Sequence, residues 1–460
     1  MSVRFLGVVW HTPLLALALC VAFPLAAAPY LVVSVLWGPY ILPARTGEFA
    51  AIFALLGLLV MSGLGLFSRR QRAGVTGLAL RTLGGALIAG LVAYLLSRMT
   101  EFGALGGRTI FLATVVGALL AAAVLAIVGK LINEDVFRRR VVVYGSGVRA
   151  KNISLLRRRA DQRGFRLLGF VQLADEPVEV GQDRVLPIEG SLMDYVRKHE
   201  VDEIVIAMDD RRRNFPVADL LECRLAGINI TDIVTFLERE TGKVHLDVLN
   251  PSWLIFADGF RRDVIRRYEE RVFDVISSSA LLIITAPIML LTMLAIKLED
   301  GFRAPIFYKQ KRVGYSGKVF DVIKFRSMRT DAEKNGAVWA KSKDTRVTRV
   351  GDFIRKVRID ELPQILNVFK GDMAFVGPRP ERPEFVSQLA ETIPYYHERH
   401  WVKPGITGWA QLCYPYGASE RDAVEKLQFD LYYVKNHSLL FDLMILVQTA
   451  EVILLRKGAR

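Results

Sequence analysis

The chain has 460 residues, 52% of them hydrophobic and 23% charged, with a formal net charge of +14. The apolar excess gathers near the N-terminus, which excludes a wholly soluble protein and points to membrane segments joined to folded domains. The surplus of Lys and Arg reflects in part the positive-inside bias of membrane loops and suits an anionic bilayer surface or phosphate-bearing substrates; no tandem zinc spacing and no aromatic-basic pattern of a nucleic-acid binder occurs.

Four apolar stretches precede residue 135, at roughly 14–37, 47–67, 78–97 and 109–129. Each approaches the ~20 residues that cross a bilayer as a helix. The first ends in a signal-peptide-like AAAP, but Pro29 follows the small residues directly and the apolar run continues to Trp37, so an uncleaved helix is expected. Arg69, Arg70, Arg72 and Arg81 crowd the second loop, and Lys130, Arg138, Arg139 and Arg140 follow the fourth segment. The first loop has only Arg45, and the third has Arg98 and Arg108. The N-terminus, the second loop and the chain after the fourth segment are therefore expected in the cytosol. Glycine-rich runs such as GGALIAG predict close helix packing. The three cysteines, Cys20, Cys223 and Cys413, lie far apart and suggest no disulfide framework.

After Arg140 the pattern changes to short apolar strands alternating with helical stretches. VVVYGSGVRA opens the region at 141–150, and strands are predicted at 165–171, 203–208 and 227–231. This alternation predicts a parallel sheet with helices on its faces. Gly145, Gly147 and Ala150 meet the loose form of the dinucleotide fingerprint, and Asp175 is a candidate ribose ligand in an acidic turn. A structural or regulatory module, a nucleotide sensor and a redox domain all remain open. Tyr195 and Lys198 miss the Tyr-x-x-x-Lys spacing of a short-chain epimerase or dehydratase by one place.

Residues 272–298 form a second kind of apolar segment. Arg261, Arg262, Arg266, Arg267 and Arg271 precede it, and Lys297, Arg303, Lys309, Lys311 and Arg312 follow it. A spanning helix would strand one basic cluster outside. Pro287 lies near the middle and can kink a helix. A helix that enters the bilayer, bends at Ala286-Pro287 and returns to the same face competes with a fifth spanning helix.

From residue 306 onward the pattern is that of a folded domain. The tract VRIDELPQILNVFKGDMAFVGPRP sets Asp360 and Glu361 beside Arg355, Lys356 and Arg358, and fixes Arg379 between two prolines. Taken alone, Asp360 reads as the N-cap of a helix beginning near it and Glu361 as a first-turn acid. The cations equally suit a site where carboxylates and phosphates meet. His397 and His400 read as a structural pair, and the apolar C-terminal stretch, interrupted by Asp442, Gln448 and Glu451, as an amphipathic interfacial helix.

KFRSM, IDELPQILNVFKGDM, FVGPRP, KPGITGWAQ and DLYYVKN occur in an order that resembles the bacterial sugar transferase family, the monotopic phosphoglycosyl transferases, over roughly 266–460. The whole chain is similar to the large polyprenyl glycosylphosphotransferases of exopolysaccharide assembly. That resemblance implies a multi-domain integral membrane protein of the bacterial inner membrane with its catalytic domain on the cytosolic face. The expected parts are four transmembrane helices in 1–135, a Rossmann-like α/β module in 136–250, and a catalytic α+β domain in 251–460 carrying a re-entrant membrane hairpin at 272–298. It implies transfer of a sugar 1-phosphate, glucose before galactose, from a UDP-sugar to undecaprenyl phosphate with release of UMP. Asp360 falls at the nucleophile's position and Glu361 at that of a residue placing Mg²⁺ or assisting proton transfer, so the pair is expected to hold the metal. Lys324, Arg355 and Arg379 match phosphate- or nucleotide-contacting positions, and Arg358 is added as a further cation beside the acidic pair. Partners expected are the UDP-sugar, undecaprenyl phosphate, the lipid bilayer and, as an open question, a second copy of the chain; nucleic acid is not among them. A membrane-bound nucleotide-sugar epimerase or dehydratase and a non-catalytic assembly scaffold are the rival readings. The chain departs from the family in having Ala286-Pro287 where Ser-Pro is common, and LCYPYGAS where an Asn-Gly turn often follows GWAQ.

Overall fold

The computed structural model describes residues 2–5, 8–38, 46–63, 66, 75–99, 106–131, 138–156, 159–162, 164–173, 176–187, 190–210, 215–249, 264–329, 346–414, 417 and 419–454. Arg45, Arg69, Arg70, Arg72, Asp175, Arg261, Arg262 and the Pro415-Tyr416 pair lie outside them. Two units form, Met1–Leu249 and Asn250–Arg460.

The first unit opens with an antiparallel pair, β1 (Ser2–Phe5) and β2 (Val8–His11), and continues into four apolar helices. These are α1 (Thr12–Trp37), α2 (Thr46–Gly63), α3 (Val75–Met99) and α4 (Gly106–Leu131). Val21, Leu25, Phe53, Met61, Ala89 and Ala121 pack into their shared core. The opposite faces expose Phe23, Val35, Leu87, Leu91, Phe111 and Leu119, so the bundle is apolar inside and out. Close packing occurs at Gly90, where an added Cβ would lie 2.3 Å from Thr114 Oγ1, whereas Gly84 of the same run faces open space. Arg81, assigned above to a loop, sits inside α3 and is buried. Helix α3 begins at Val75, nearly two turns before it.

The rest of this unit is a four-stranded sheet with every neighbouring pair parallel, in the order β4-β3-β5-β6. Its elements are β3 (Arg139–Tyr144), α5 (Val148–Ser154), α6 (Arg159–Gln162), β4 (Phe165–Val171), α7 (Leu192–Lys198), β5 (Glu203–Ile206), α8 (Val217–Leu225), β6 (Asn229–Asp232) and α9 (Ile233–Thr241). Val141, Val142 and Val143 are fully buried because helices cover a central parallel strand on both faces. At the amino ends of the strands Glu203 is fully buried and pairs with Arg139 and, at 2.9 Å, with Arg239. Thr231 Oγ1 donates to the same carboxylate at 2.6 Å.

The second unit begins with α10 (Val264–Asp300), a helix of 37 residues that continues through Pro287. No turn divides it into the two separate halves that a hairpin of two helices would show. Both of its ends dock on the same unit. Arg271 donates to the carbonyls of Val368 and Phe369, and Lys403 lies 3.2 Å from Glu270. At the other end Asp300 pairs with Arg326 at 2.6 Å, and the Glu299 carboxylate accepts from the Arg349 and Val350 amides. A β-hairpin follows, β7 (Phe307–Val313) with β8 (Val319–Phe325), then α11 (Arg349–Lys356) and α12 (Gln364–Lys370). The helix expected from Asp360 starts instead at Gln364. Residues 359–361 form a single 3-10 turn, entered through Arg358 in the left-handed region (φ 61°). Pro363, the cap residue immediately before α12, has no amide to donate, and a new helix can begin there.

Strands β9 (Ala374–Val376) and β10 (Gly405–Thr407) pair in parallel and bring FVGPRP against KPGITGW. The Gly377 amide donates to Thr407 O at 2.9 Å and the Gly405 amide to Pro378 O at 3.0 Å. A Cβ on Gly377 would lie 2.2 Å from Lys403 O, and one on Gly408 2.2 Å from Gly377 O, so the two backbones meet directly. Around them pack α13 (Pro383–Thr392), α14 (Trp409–Cys413), α15 (Glu420–Asn436) and α16 (Leu439–Leu454). Helix α16 is more than an interfacial helix. Ile445 is fully buried, and Asp442, read above as a break in an apolar face, accepts from the Tyr433 hydroxyl at 2.8 Å.

Arg399 and Asp430 form a buried ion pair between the 396–401 turn and α15, with Nη2 to Oδ2 at 2.7 Å. Burial alone would discharge the guanidinium, but Asp430 beside it more than offsets this and pushes Arg399 upward. Asp430→Ala leaves that charge buried without its partner and is expected to destabilise the second unit by about 3 kcal/mol. A clearly lower denaturation midpoint in detergent is the expected reading; an unchanged midpoint would show that the pair does not hold α15 in place.

Candidate active site

Strand β8 and the turn at 359–361 build the centre of the site. Asn367 on α12 fixes their separation, because its side chain accepts from the Ile323 amide at 3.0 Å and donates to Asp321 O at 2.8 Å. Lys324, between those two backbone contacts and the end of β8, reaches Glu361 Oε1 with its Nζ at 3.0 Å. Arg358 Nη1 stands 3.7 Å from the same oxygen. Its left-handed backbone turns the chain between α11 and the acidic pair.

The two adjacent carboxylates have different surroundings. Burial would raise Glu361, but Lys324 and Arg379 more than offset it and hold this carboxyl below its usual range. Asp360 is pushed upward, first by burial and then by the Glu361 charge, against the pull of Lys324, Arg358 and Arg355. Its Oδ1 is buried and makes no hydrogen bond among the described residues. Asp360 therefore caps no helix. It is a carboxylate set in a field of cations with an oxygen left free.

Arg379 comes from the turn after β9. Arg399 Nη2 donates to its carbonyl at 3.0 Å, and Arg312 Nη1 donates to the next carbonyl, of Pro380, at 3.1 Å. Two side chains thus hold the backbone of Arg379 while its guanidinium stays exposed. Lys324, Arg358 and Arg379 all act on Glu361, and Arg355 acts on Asp360, so the six residues singled out from the sequence fall in one place. The supports Asn367, Arg312 and Arg399 were not singled out. Each acts across a long sequence gap, and only the order of the motifs hinted that those segments would meet.

Among the described residues no three His, Cys, Asp or Glu side chains form a metal cluster. The acidic pair still fits a magnesium ion, which typically takes one or two carboxylates and completes its shell with water and substrate phosphates. The free Asp360 Oδ1 and the Glu361 oxygen not engaged by Lys324 are the donors available. His397 and His400 do not resemble a metal site: His400 Nδ1 lies 3.2 Å from His397 O, and burial with Arg399 nearby lowers His400 to about 4.

Comparison with known proteins places these motifs. Residues 265–456 match the bacterial sugar transferase family. The chain is 42% identical over 241 residues to a UDP-N-acetylgalactosamine-undecaprenyl-phosphate N-acetylgalactosaminephosphotransferase of Aeromonas hydrophila, covering 52% of this chain and 56% of that protein. It is 34% identical over 328 residues to an undecaprenyl-phosphate glucose phosphotransferase of Komagataeibacter xylinus, covering 68% and 58%. The chain thus spans less than two thirds of the length of these two relatives. A UDP-glucose:undecaprenyl-phosphate glucose-1-phosphate transferase of Xanthomonas campestris is 31% identical over 343 residues, 71% of this chain and 69% of its own. On the family match and this shared length, the chain belongs to the bacterial sugar transferase family, among its large, exopolysaccharide-type members.

Proposed function

We propose that the protein transfers a sugar 1-phosphate from a UDP-sugar to undecaprenyl phosphate, releasing UMP, at the cytosolic face of the bacterial inner membrane. The observation that carries this reading is the buried, unpartnered Asp360 oxygen among Lys324, Arg355, Arg358 and Arg379. Asp360 attacks the phosphorus that bears the sugar. The bond from that phosphorus to the bridging oxygen breaks, and UMP leaves with the bridging oxygen. An oxygen of undecaprenyl phosphate then attacks the same phosphorus, the bond to Asp360 breaks, and the carboxylate returns. The cations offset the repulsion between a carboxylate and a diphosphate, and the arginine forks match phosphate oxygens. Asp360 and Glu361 would hold Mg²⁺, which supplies charge neutralisation at the diphosphate.

Glucose is the sugar favoured, because the relatives aligned over 68% and 71% of the chain carry glucose in their names. N-acetylgalactosamine is the second reading, resting on the relative with 42% identity. The bundle α1–α4 is read as four bilayer crossings: its outward faces are apolar, and Gly106–Ile127 is long enough to cross. The segment 272–298 is read as re-entrant. A straight helix from Arg271 to Asp300 would be about 44 Å long. Yet Arg271 docks beside Asn367, which brackets Asp321 and Ile323, while Asp300 docks on Arg326. Residues 323 and 326 are separated by only about 10 Å of strand. Partners that close suit two ends on one face of a bilayer whose hydrocarbon is about 30 Å thick. Reporter fusions after residues 140, 300 and 460 are expected to read cytosol at all three places; an external reading at 300 or 460 would replace the re-entrant helix with a crossing.

Asp360→Asn keeps the shape of the side chain and removes the nucleophile, so turnover is expected to fall by roughly 10³-fold or more without unfolding. Glu361→Gln is expected to lose about 10²-fold. Purified protein given UDP-glucose, UDP-galactose and UDP-N-acetylgalactosamine in turn, without lipid, should release up to one equivalent of UMP with its preferred donor. Intact mass should then show a sugar-phosphate adduct at Asp360. An enzyme fully active with lipid but giving neither adduct nor donor-only UMP would exclude the two-step route.

A further inference from the structure

The crevice of the parallel sheet lies outside the carboxyl ends of β3 and β5, where the strand order reverses. In folds of this kind that crevice takes the phosphates of a nucleotide, on the amides of a glycine turn. Here those amides already have partners. The Val148 and Arg149 amides donate to the two oxygens of Asp209, at 2.9 and 2.8 Å. The Ser146 amide donates to Glu176 Oε2 at 3.1 Å, and Glu176 Oε1 accepts from the Asp209 amide at 2.6 Å. Glu176 follows β4, the glycine turn follows β3, and Asp209 follows β5. Two carboxylates therefore tie together the ends of three neighbouring strands.

The glycines fit this account. Gly145 has φ +123°, and a Cβ there would lie 2.8 Å from the Ala207 backbone. A Cβ on Gly147 would lie 2.1 Å from Asp209 Oδ2. In a dinucleotide fold the second glycine makes room for the pyrophosphate. In this chain it makes room for a carboxylate of the chain itself. We infer that the Gly145–Ala150 turn is a self-ligated latch in which Asp209 and Glu176 take the place of phosphate, and that the Rossmann-like module binds no dinucleotide. A diphosphate entering the crevice would have to displace Asp209 from both amides and lie against two like charges. Tyr195, whose ring stacks on His199 with centroids 4.2 Å apart, lacks the Tyr-x-x-x-Lys spacing that an epimerase would need.

Hydrogen exchange on the full-length protein in detergent tests the latch apart from sugar transfer. The peptide covering 145–152 is expected to be protected in the wild type and to exchange about tenfold faster in Asp209→Ala. Asp209→Asn and Glu176→Gln keep the side-chain shapes and serve if the alanine variant does not fold; a severalfold loss of protection is expected in each. NAD⁺, NADH or ADP-ribose at about 1 mM should leave the wild-type peptide unchanged. UDP-glucose, which tests the separate donor site, should also leave it unchanged. Equal exchange in the wild type and all three variants would overturn the latch. Protection of this peptide by a dinucleotide in the wild type would overturn the claim that the crevice is filled.

Discussion

An anion that must attack another anion needs positive charge around it that does not neutralise it. On the proposed route, the second unit meets this constraint by dividing labour between two neighbouring carboxylates. Glu361 takes the direct contact with Lys324, while Asp360 keeps a buried oxygen without a partner. Had Lys324 bonded Asp360 instead, the free electron pair would have been tied up in a salt bridge. The 3-10 turn makes the division feasible, because a helix through 360 would carry the two side chains out in directions set by its regular period rather than by the strand facing them.

Positions of the cations rest on different supports. Lys324 is fixed by a strand that Asn367 clamps from both sides, and Arg379 by carbonyls held from Arg399 and Arg312. Arg355 lies in the last turn of α11, whose first turn is tied through Glu299 to α10, the helix read as entering the bilayer. The membrane segment and the charge cluster are thus parts of one packed unit. Met289 and Ile296 of α10 share a hydrophobic cluster with Ile354, Ile359 and Leu362, so a change in how α10 sits would reach α11 and the residues flanking the acidic pair alike.

Much of this was legible in the sequence, for identifiable reasons. The strands predicted at 165–171 and 203–208, observed at 165–171 and 203–206, stood out because buried parallel strands are continuous apolar runs bounded by turn residues. Five of the six site residues stood out because the motifs occur in a fixed order, and Arg358 because it adjoins the acidic pair. Legibility failed where a contact spans a long stretch of chain. Glu203 opens the strand predicted at 203–208 without a sequence sign of any partner, yet it is fully buried on Arg139 and Arg239. Asp442 looked like a break in an apolar helix, yet it faces Tyr433. The glycine turn left its role open for a different reason. Its spacing is set by local backbone geometry, and that geometry is the same whether the approaching oxygen belongs to a phosphate or to Asp209.

The meeting of FVGPRP with KPGITGW has a consequence for how such an enzyme can change. At Gly377, Gly405 and Gly408 the two segments touch through backbone alone, with no room for a side chain. Their spacing is a fixed dimension that point substitutions can break but hardly tune. On the proposed function, adaptation to a new sugar would therefore have to be written into neighbouring segments whose side chains are free to vary, with the spacing of these two backbones as an invariant gauge beside them.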